Sequence, residues 1–277
     1  MHAGRPVRQA EEPGKIRPML VHKSHALGND YLVATDSIDA PLAIALCDRH
    51  RGPGADGVLE LVETERAQYG VRIWNPDGSI AEKSGNGLRI FARWLVDHRA
   101  APLAFTVDTT YDVVHCSVDA AAVTVQMGLA RFPDAPDALE IGGQLLRIVV
   151  VDVGNPHCVC FRDGEDLDAL PWRQWGQLLE HHPQFPNRTN VQFAEVSGGE
   201  VQIRIWERGA GETSASGSSS CAAAAAAVRT GRLSAGPVVV RMPGGTLQVN
   251  VGTDHALTLR GPVTPIGSFT LDTRWRA

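Results

Sequence analysis

Two short stretches, one in each half of the chain, place a small polar side chain ahead of glycine at the start of a predicted helix. They are Ser84-Gly85-Asn86-Gly87 and Ser216-Gly217-Ser218-Ser219. The first backbone N–H groups of a helix have no partner within it, and the aligned peptide dipoles favour an anion there. Two such ends, each with a hydroxyl, suit one carboxylate substrate held from two sides. Upstream of each serine, at a similar distance, lies a Gly-Asn turn: Gly28-Asn29-Asp30 and Gly154-Asn155-Pro156-His157. The interval is too long and the copies too few for a solenoid, so the reading is a duplicated chain whose two half-domains enclose a cleft. One such loop alone is an ordinary helix N-cap; the matched pair points to a site.

His157 and Glu207 are the next candidates. His157 closes the second Gly-Asn turn, and Glu207 heads the Gly-rich loop Glu207-Arg208-Gly209-Ala210-Gly211-Glu212. Taken singly, such a histidine is a structural hydrogen-bonding residue and Glu207-Arg208 a surface ion pair worth little. The five cysteines, Cys47, Cys116, Cys158, Cys160 and Cys221, are odd in number, dispersed and in apolar surroundings, which reads as buried thiols. Cys158 and Cys160 share one face of a strand, but no second pair completes a zinc site, and no His-Glu-x-x-His occurs. The sequence therefore calls for no metal.

The segments that must position these residues are mostly strands. Short β-branched or aromatic runs bounded by turn residues predict strands at 20–22, 31–35, 58–62, 69–74, 104–107, 113–118, 122–127 and 144–153. The second half adds 158–161, 189–196, 201–206, 238–242, 246–251 and 256–261. Helices are predicted at 41–50, 87–97, 172–181 and 220–229. Two of them directly follow the Ser-Gly loops. The second of these contains an unbroken run of alanine over 222–227, a strong helix former slim enough for strands to wrap closely, and so reads as a central buried helix. Leu88, Phe91, Ala92 and Leu95 give the first an apolar stripe.

The chain has 277 residues, 43% of them apolar, enough to fill a substantial core. A net charge of −5 without a dense Lys/Arg run argues against nucleic acid or an anionic membrane as partner and leaves a small-molecule substrate. No run approaches the roughly 18 apolar residues that span a bilayer. Residues 1–18 mix Arg, Glu, Gly and Pro without an apolar stretch, which reads as a loose tail, neither secretory signal nor anchor, and a cytoplasmic location is expected. The Pro- and Asp-rich stretch 132–137 is the best boundary between halves, and the chain can cross back near Gly261-Pro262. The expected division is 19–131 plus 263–277 for one half-domain and 132–262 for the other.

From Met19 to Asp272 the chain resembles the diaminopimelate epimerases, a family of cofactor-independent amino-acid racemases. The likeness rests on His25-Ala26-Leu27-Gly28-Asn29-Asp30, Leu46-Cys47-Asp48-Arg49-His50, Gly54-Ala55-Asp56-Gly57, Asn75-Pro76-Asp77-Gly78-Ser79 and Gly85-Asn86-Gly87-Leu88-Arg89. It continues through Gly154-Asn155-Pro156-His157, Arg188-Thr189-Asn190-Val191 and Glu207-Arg208-Gly209-Ala210-Gly211-Glu212-Thr213. The resemblance implies an α+β fold of two similar β-rich half-domains, each a mixed sheet or barrel around a central helix, related by a pseudo-two-fold axis. It also implies a homodimer and a reaction without pyridoxal phosphate or any other cofactor. One base removes the α-proton from one face of an amino acid while an acid on the other face returns a proton.

In the family both groups are cysteines heading the central helices; here those positions hold Ser84 and Ser216. The resemblance places His157 beside Ser84 and Glu207 beside Ser216, as Ser–His and Ser–Glu dyads. It makes Asn29, Asn75, Asn155, Asn190, Glu207 and Arg208 substrate contacts. Of these, Asn75, Asn190 and Arg208 would read the distal amino-acid group of diaminopimelate. The backbone N–H groups of Gly85, Asn86, Gly217 and Ser218 would hold the α-carboxylate and stabilise the carbanion-like transition state. A thiol ionises at a pKa of about 8.5, lower at a helix N-terminus, whereas a serine hydroxyl is a far weaker acid and needs a neighbouring base. The double replacement suits natural divergence and deliberate trapping of a substrate complex alike. Three readings follow: an epimerase with weak, altered or engineered-away turnover, a one-base dehydratase or other eliminating enzyme acting on a β-substituted amino acid, and a non-catalytic amino-acid-binding protein.

Overall fold

A computed structural model describes residues 18–275, so the expected N-terminal tail lies, but for Pro18, outside the described residues. The first half runs β1 (Leu20–Ala26), β2 (Asn29–Ala34), α1 (Ala40–Cys47), β3 (Val58–Val62), β4 (Tyr69–Trp74), β5 (Ile80–Ala81), α2 (Gly85–Arg99), β6 (Ala104–Asp108), β7 (Val113–Val118) and β8 (Val123–Leu129). A hairpin of β9 (Ala138–Ile141) and β10 (Gln144–Arg147) stands between the halves. The second half runs β11 (Val149–Asp152), β12 (Pro156–Phe161), α3 (Trp172–Glu180), β13 (Asn190–Ser197), β14 (Glu200–Glu207), β15 (Gly211–Thr213), α4 (Gly217–Arg229), β16 (Gly236–Met242), β17 (Gly245–Val251) and β18 (Ala256–Gly261). The last strand, β19 (Thr264–Thr270), returns to pair antiparallel with β1.

The two halves repeat one pairing scheme. In the first, β1–β2 is antiparallel, β2–β3 parallel, β3–β4 antiparallel, β4–β6 parallel, and β6–β7 and β7–β8 antiparallel. In the second, β11–β12, β12–β13, β13–β14, β14–β16, β16–β17 and β17–β18 follow the same order of senses. An antiparallel β8–β18 pair joins the halves into a sheet of 17 strands. Parallel neighbours need a crossover connection, and α1, α2, α3 and α4 each supply one. α1 and α3 bridge the first parallel pair of their halves, α2 and α4 the second.

The helices sort into inner and outer layers. α2 and α4 belong to one apolar core shared by both halves, with Cys221 and all of 222–227 fully buried, as the alanine run predicts. α1 and α3 cover the opposite faces of their sheets, over two separate clusters. β2 and β12, sandwiched between layers, are therefore buried along nearly their whole length, whereas β17 and β18 alternate between buried and more open residues. Among the described residues no helix is long and apolar enough to cross a membrane.

Several boundaries differ from the sequence expectation. The predicted strand 144–153 is two strands: the Ile148 N–H donates to Asp137 O at the break, β10 pairs with β9, and β11 pairs with β12. An uninterrupted apolar run carries no mark where its partner changes. β5, β9, β15 and β19 were not predicted, being short or composed of turn-forming residues. α2 and α4 start at Gly85 and Gly217, earlier than expected, because the serine caps override the poor helix propensity of Gly and Ser.

Candidate active site

Ser84 and Ser216 are the N-caps of α2 and α4, with nearly the same backbone angles: φ −138°, ψ 113° and φ −145°, ψ 127°. Ser84 Oγ accepts from the Gly87 N–H at 3.0 Å, and Ser216 Oγ from the Ser219 N–H at 3.4 Å. The two helix ends meet. A Cβ added at Gly217 would lie 3.5 Å from the Gly85 Cα and 2.8 Å from Leu259 Cδ2, and one at Gly85 would lie 2.9 Å from the same Leu259 atom. The two helix ends are thus close neighbours, and a side chain at either glycine would press on Leu259.

A cation stands behind them. Arg89 is fully buried, donates to Gly85 O at 3.3 Å and Asn86 Oδ1 at 2.9 Å, and has no carboxylate partner among the described residues. Its Nε is buried without a hydrogen-bond partner, and Nη1 lies 3.8 Å from the Cβ position of Gly217. Burial lowers its pKa to about 10, with Cys221 opposing, so the guanidinium stays charged at neutral pH and adds positive potential to both helix ends.

In the first half the polar groups form one chain. Asn86 Nδ2 donates to Asn29 Oδ1 at 3.0 Å, and Asn29 Nδ2 donates to Asp56 Oδ2 at 2.8 Å. Arg49 bridges Asp56 and Asp30, each at 2.7 Å, and Lys23 adds a 3.0 Å pair to Asp30. Burial alone would raise Asp30; Arg49 and Lys23 outweigh it and bring the carboxyl to about 2. Asn29 and Asn86 are thus fixed through a network of fixed charge. Asn75, half-buried at the β4–β5 turn, donates to Ser79 Oγ at 2.9 Å within its own turn.

In the second half His157 is the second residue of β12 rather than part of the turn, and it is fully buried. Its Nε2 pairs with Asn155 Oδ1 at 2.9 Å. Its Nδ1 and Gln192 Oε1 are both buried without a well-aligned partner, though Gln192 is near enough to favour the protonated ring. Burial dominates and brings the His157 pKa to about 3, with Arg208 lowering it further. His157 therefore stays neutral, and it makes no hydrogen bond to Ser84. Gln192 Nε2 donates to Ser219 Oγ at 3.0 Å, tying β13 to the first turn of α4.

Glu207 ends β14, half-buried at the lip of the site. The turn displaying it is clamped by Glu180, which accepts Trp206 Nε1 and the Gly209 N–H, each at 2.8 Å. Asn190 Oδ1 accepts from the Arg208 N–H at 3.1 Å, and Asn190 Nδ2 donates to Pro156 O at 2.9 Å, so Asn190 spans the two loops. The exposed Arg208 side chain reaches Asn187 O at 3.4 Å. Burial raises the Glu207 pKa and Asp56 adds to it; the Ser216 hydroxyl, beside the carboxylate but outside well-aligned hydrogen-bond geometry, opposes the rise.

Sequence reasoning missed Tyr31. Its hydroxyl pairs with Ser84 Oγ at 3.1 Å, the place expected for His157. Burial pushes the phenol up to about 12, with the charges of Asp56 and Glu207 adding and the Ser84 hydrogen bond opposing. Tyr31 of the first half thus feels Glu207 of the second, and Glu207 feels Asp56 of the first, so both halves face a common space. An aromatic in a β-strand reads as core, which hid Tyr31; nothing local in the sequence marks Arg89 or Glu180 as buried.

A family model described as diaminopimelate epimerase matches residues 21–133 and 149–265. The chain belongs to the diaminopimelate epimerase family. Within it, the chain is 41% identical over 278 aligned residues to diaminopimelate epimerase 2 of a Nostoc species, covering 92% of this chain and 96% of that one. It is 39% identical to the diaminopimelate epimerase of Desulforudis audaxviator, covering 91% and 98%. Among solved structures, a hydroxyproline epimerase from Agrobacterium vitis shares the fold with a TM-score of 0.72 at 17% identity, covering 92% and 93% of the two chains. A phenazine biosynthesis protein from Bacillus anthracis does so at 0.70 and 14%, covering 93% and 100%. In this member of the diaminopimelate epimerase family, no cysteine stands in for the two cap serines. All five are buried, and burial raises Cys47 to about 11 and Cys116 and Cys221 to about 12.

Proposed function

We propose that this protein epimerises diaminopimelate, or a close analogue with a second charged or polar end, by α-proton transfer between opposite faces without pyridoxal phosphate. The observation that carries this reading is the meeting of the two serine-capped helix ends at Leu259, with Glu207 on one side and the Tyr31–Ser84 pair on the other. The N–H groups of Gly85, Asn86, Gly217 and Ser218 take the α-carboxylate. As the α-proton leaves, charge spreads onto that carboxylate, where the helix dipoles and Arg89 stabilise it without reorganising. Asn75, Asn190 and Arg208 hold the distal end, Asn29 and Asn155 line the approach, and His157 acts as a neutral polar wall. Family membership and 41% identity over 92% of the chain support the reaction class.

The test is incubation with LL-, meso- and DD-diaminopimelate in deuterated water, following α-deuterium and stereochemistry together. Deuterium incorporation with inversion is expected. Release of ammonia or water from a β-substituted amino acid in its place would identify a one-base eliminating enzyme, and tight binding without exchange would identify a binder. Changing Ser84→Cys and Ser216→Cys together should raise turnover by about a hundredfold or more, the span of an effective general base over a poor one. A double-cysteine protein still inert on diaminopimelate would exclude that substrate.

A further inference from the structure

The turn that carries Glu207 and Arg208 has little of its own to hold it. Within it the Ala210 N–H reaches Glu207 O at 3.2 Å, and Gly209 and Gly211 lie at φ 79° and 81°, where glycine brings freedom rather than stiffness. The equivalent turn of the first half, after β4, is braced from inside. There Asp77 Oδ1 accepts from the Ser79 N–H at 2.9 Å and from Ser79 Oγ at 2.6 Å, and the Asn75 N–H donates to Ser79 O at 2.8 Å. The second turn takes its bracing from α3. Gly176 lies so close to β14 that a Cβ there would sit 2.8 Å from the Trp206 Cβ. Glu180, at the end of α3 and only 3% exposed, accepts from Trp206 Nε1 at 2.8 Å, from the Gly209 N–H at 2.8 Å and from Arg188 Nη1 at 3.3 Å. Trp206 and Gly209 directly flank the Glu207-Arg208 pair, and Arg188 leads into Asn190, so one carboxylate ties both ends of the turn to the start of β13. Burial alone would raise the Glu180 pKa; the Trp206 and Gly209 donors, with His181 and Arg188, outweigh it and hold the carboxyl below its ordinary range, ionised at neutral pH.

We propose that Glu180 is a positioning residue for the reaction: by holding Trp206 and Gly209 it sets where the Glu207 carboxylate and the Arg208 guanidinium stand, and it acts on substrate only through them. This rests on the epimerase reading above, in which Glu207 flanks the reacting centre and Arg208 holds the distal end. The charge of Glu180 is what the role requires. A carboxylate has an acceptor oxygen for each of the two N–H groups, whereas an amide has one oxygen and would turn its own NH2 on the other donor. A second tie between α3 and the turn, the Arg173–Glu212 pair at 2.6 and 2.8 Å, is exposed and screened by water, so it contributes little to the placement.

The test is a double-mutant cycle of Glu180→Gln with Arg208→Ala, read by steady-state turnover of diaminopimelate in deuterated water. Glu180→Gln alone should raise KM by about tenfold and lower kcat by about tenfold, the cost of displacing a recognition group and a group at the reacting centre together. With Arg208 already removed, Glu180→Gln should change KM by less than about twofold while kcat still falls, because the KM effect passes through the missing side chain. Arg173→Ala should stay within about twofold of wild type. Hydrogen exchange of the amides over 207–211, followed by mass spectrometry, gives a reading independent of turnover and should quicken by about tenfold in Glu180→Gln, with the amides of α4 unchanged. If Glu180→Gln does not fold, Trp206→Phe removes one donor without stranding the carboxylate and carries the same cycle, with a KM rise of about threefold. A KM that rises equally with and without Arg208, or 207–211 amides that exchange at the wild-type rate, overturns the role of Glu180 although the protein remains an epimerase. A wild-type protein inert on every isomer removes the epimerase reading, and this role with it.

Discussion

A serine hydroxyl is a poor base in water, and the two serines here differ in what surrounds them rather than in what they are. Ser84 accepts from the Gly87 amide and pairs with the Tyr31 phenol, while Ser216 stands beside a carboxylate that burial has made more basic. If Glu207 is the working base, its charged form is the active one, and turnover should rise with pH through a value above the ordinary glutamate range. Asp56→Asn removes a like charge that pushes Glu207 up, so that rise should move to lower pH. Initial rates of α-deuterium exchange from pH 4 to 8 would show both effects. His157 supplies a second pH signature, in stability. Its pKa is lowered to about 3 by burial, so between about 6.5 and 3 the unfolded chain takes up a proton that the folded one refuses. Stability present at neutral pH is therefore lost as pH falls through that window. Unfolding by denaturant should show a decrease of about 1 to 2 kcal/mol between pH 6.5 and 5, and His157→Gln should flatten that dependence.

The elements that matter most are the inner helices, and what places them is the absence of side chains. Gly217→Ala would put a methyl 2.8 Å from the buried Leu259 side chain, displacing Leu259 or the first turn of α4 where it meets α2. The expected cost is about 1 to 3 kcal/mol of stability, read by denaturant unfolding, and a loss of about a hundredfold in turnover from misplaced N–H groups. Both inner helices were legible in the sequence: the alanine run fixes α4 as a slim buried rod, and the stripe of Leu88, Phe91, Ala92 and Leu95 fixes the core face of α2. Their starts were less legible, because Gly and Ser in a first turn look like loop until the cap is seen. The clamp of Glu180 on Trp206 and Gly209 was not legible at all, since it joins the end of one helix to the turn after a strand far along the chain.

At the scale of the whole molecule the two halves are held together from both ends of the chain. β8 and β18 join the repeats, and β19 returns to pair with β1, while Leu271 and Trp275 pack against the outer cluster of the first half and Trp275 Nε1 donates to Arg51 O at 2.9 Å. Deletion of residues 264–277 should therefore lower Tm by about 5 to 10 °C and weaken turnover as well, because β1 leads directly into the Leu27-Gly28-Asn29 turn at the site. A thermal melt of the truncated chain beside the full one is the measurement. By itself the sequence determined the duplication, the mostly β character and the two serines ahead of the inner helices, because periodicity, propensity and capping are local and each leaves its mark within a few residues; the polar residues around them came from the family resemblance. Only the tertiary structure decided which hydroxyl meets which partner. Tyr31 rather than His157 bonds Ser84, and Arg89 is a buried, carboxylate-free cation behind both helix ends. Partner choice depends on which strands and helices are brought side by side, and burial sets the charge state of the groups between them.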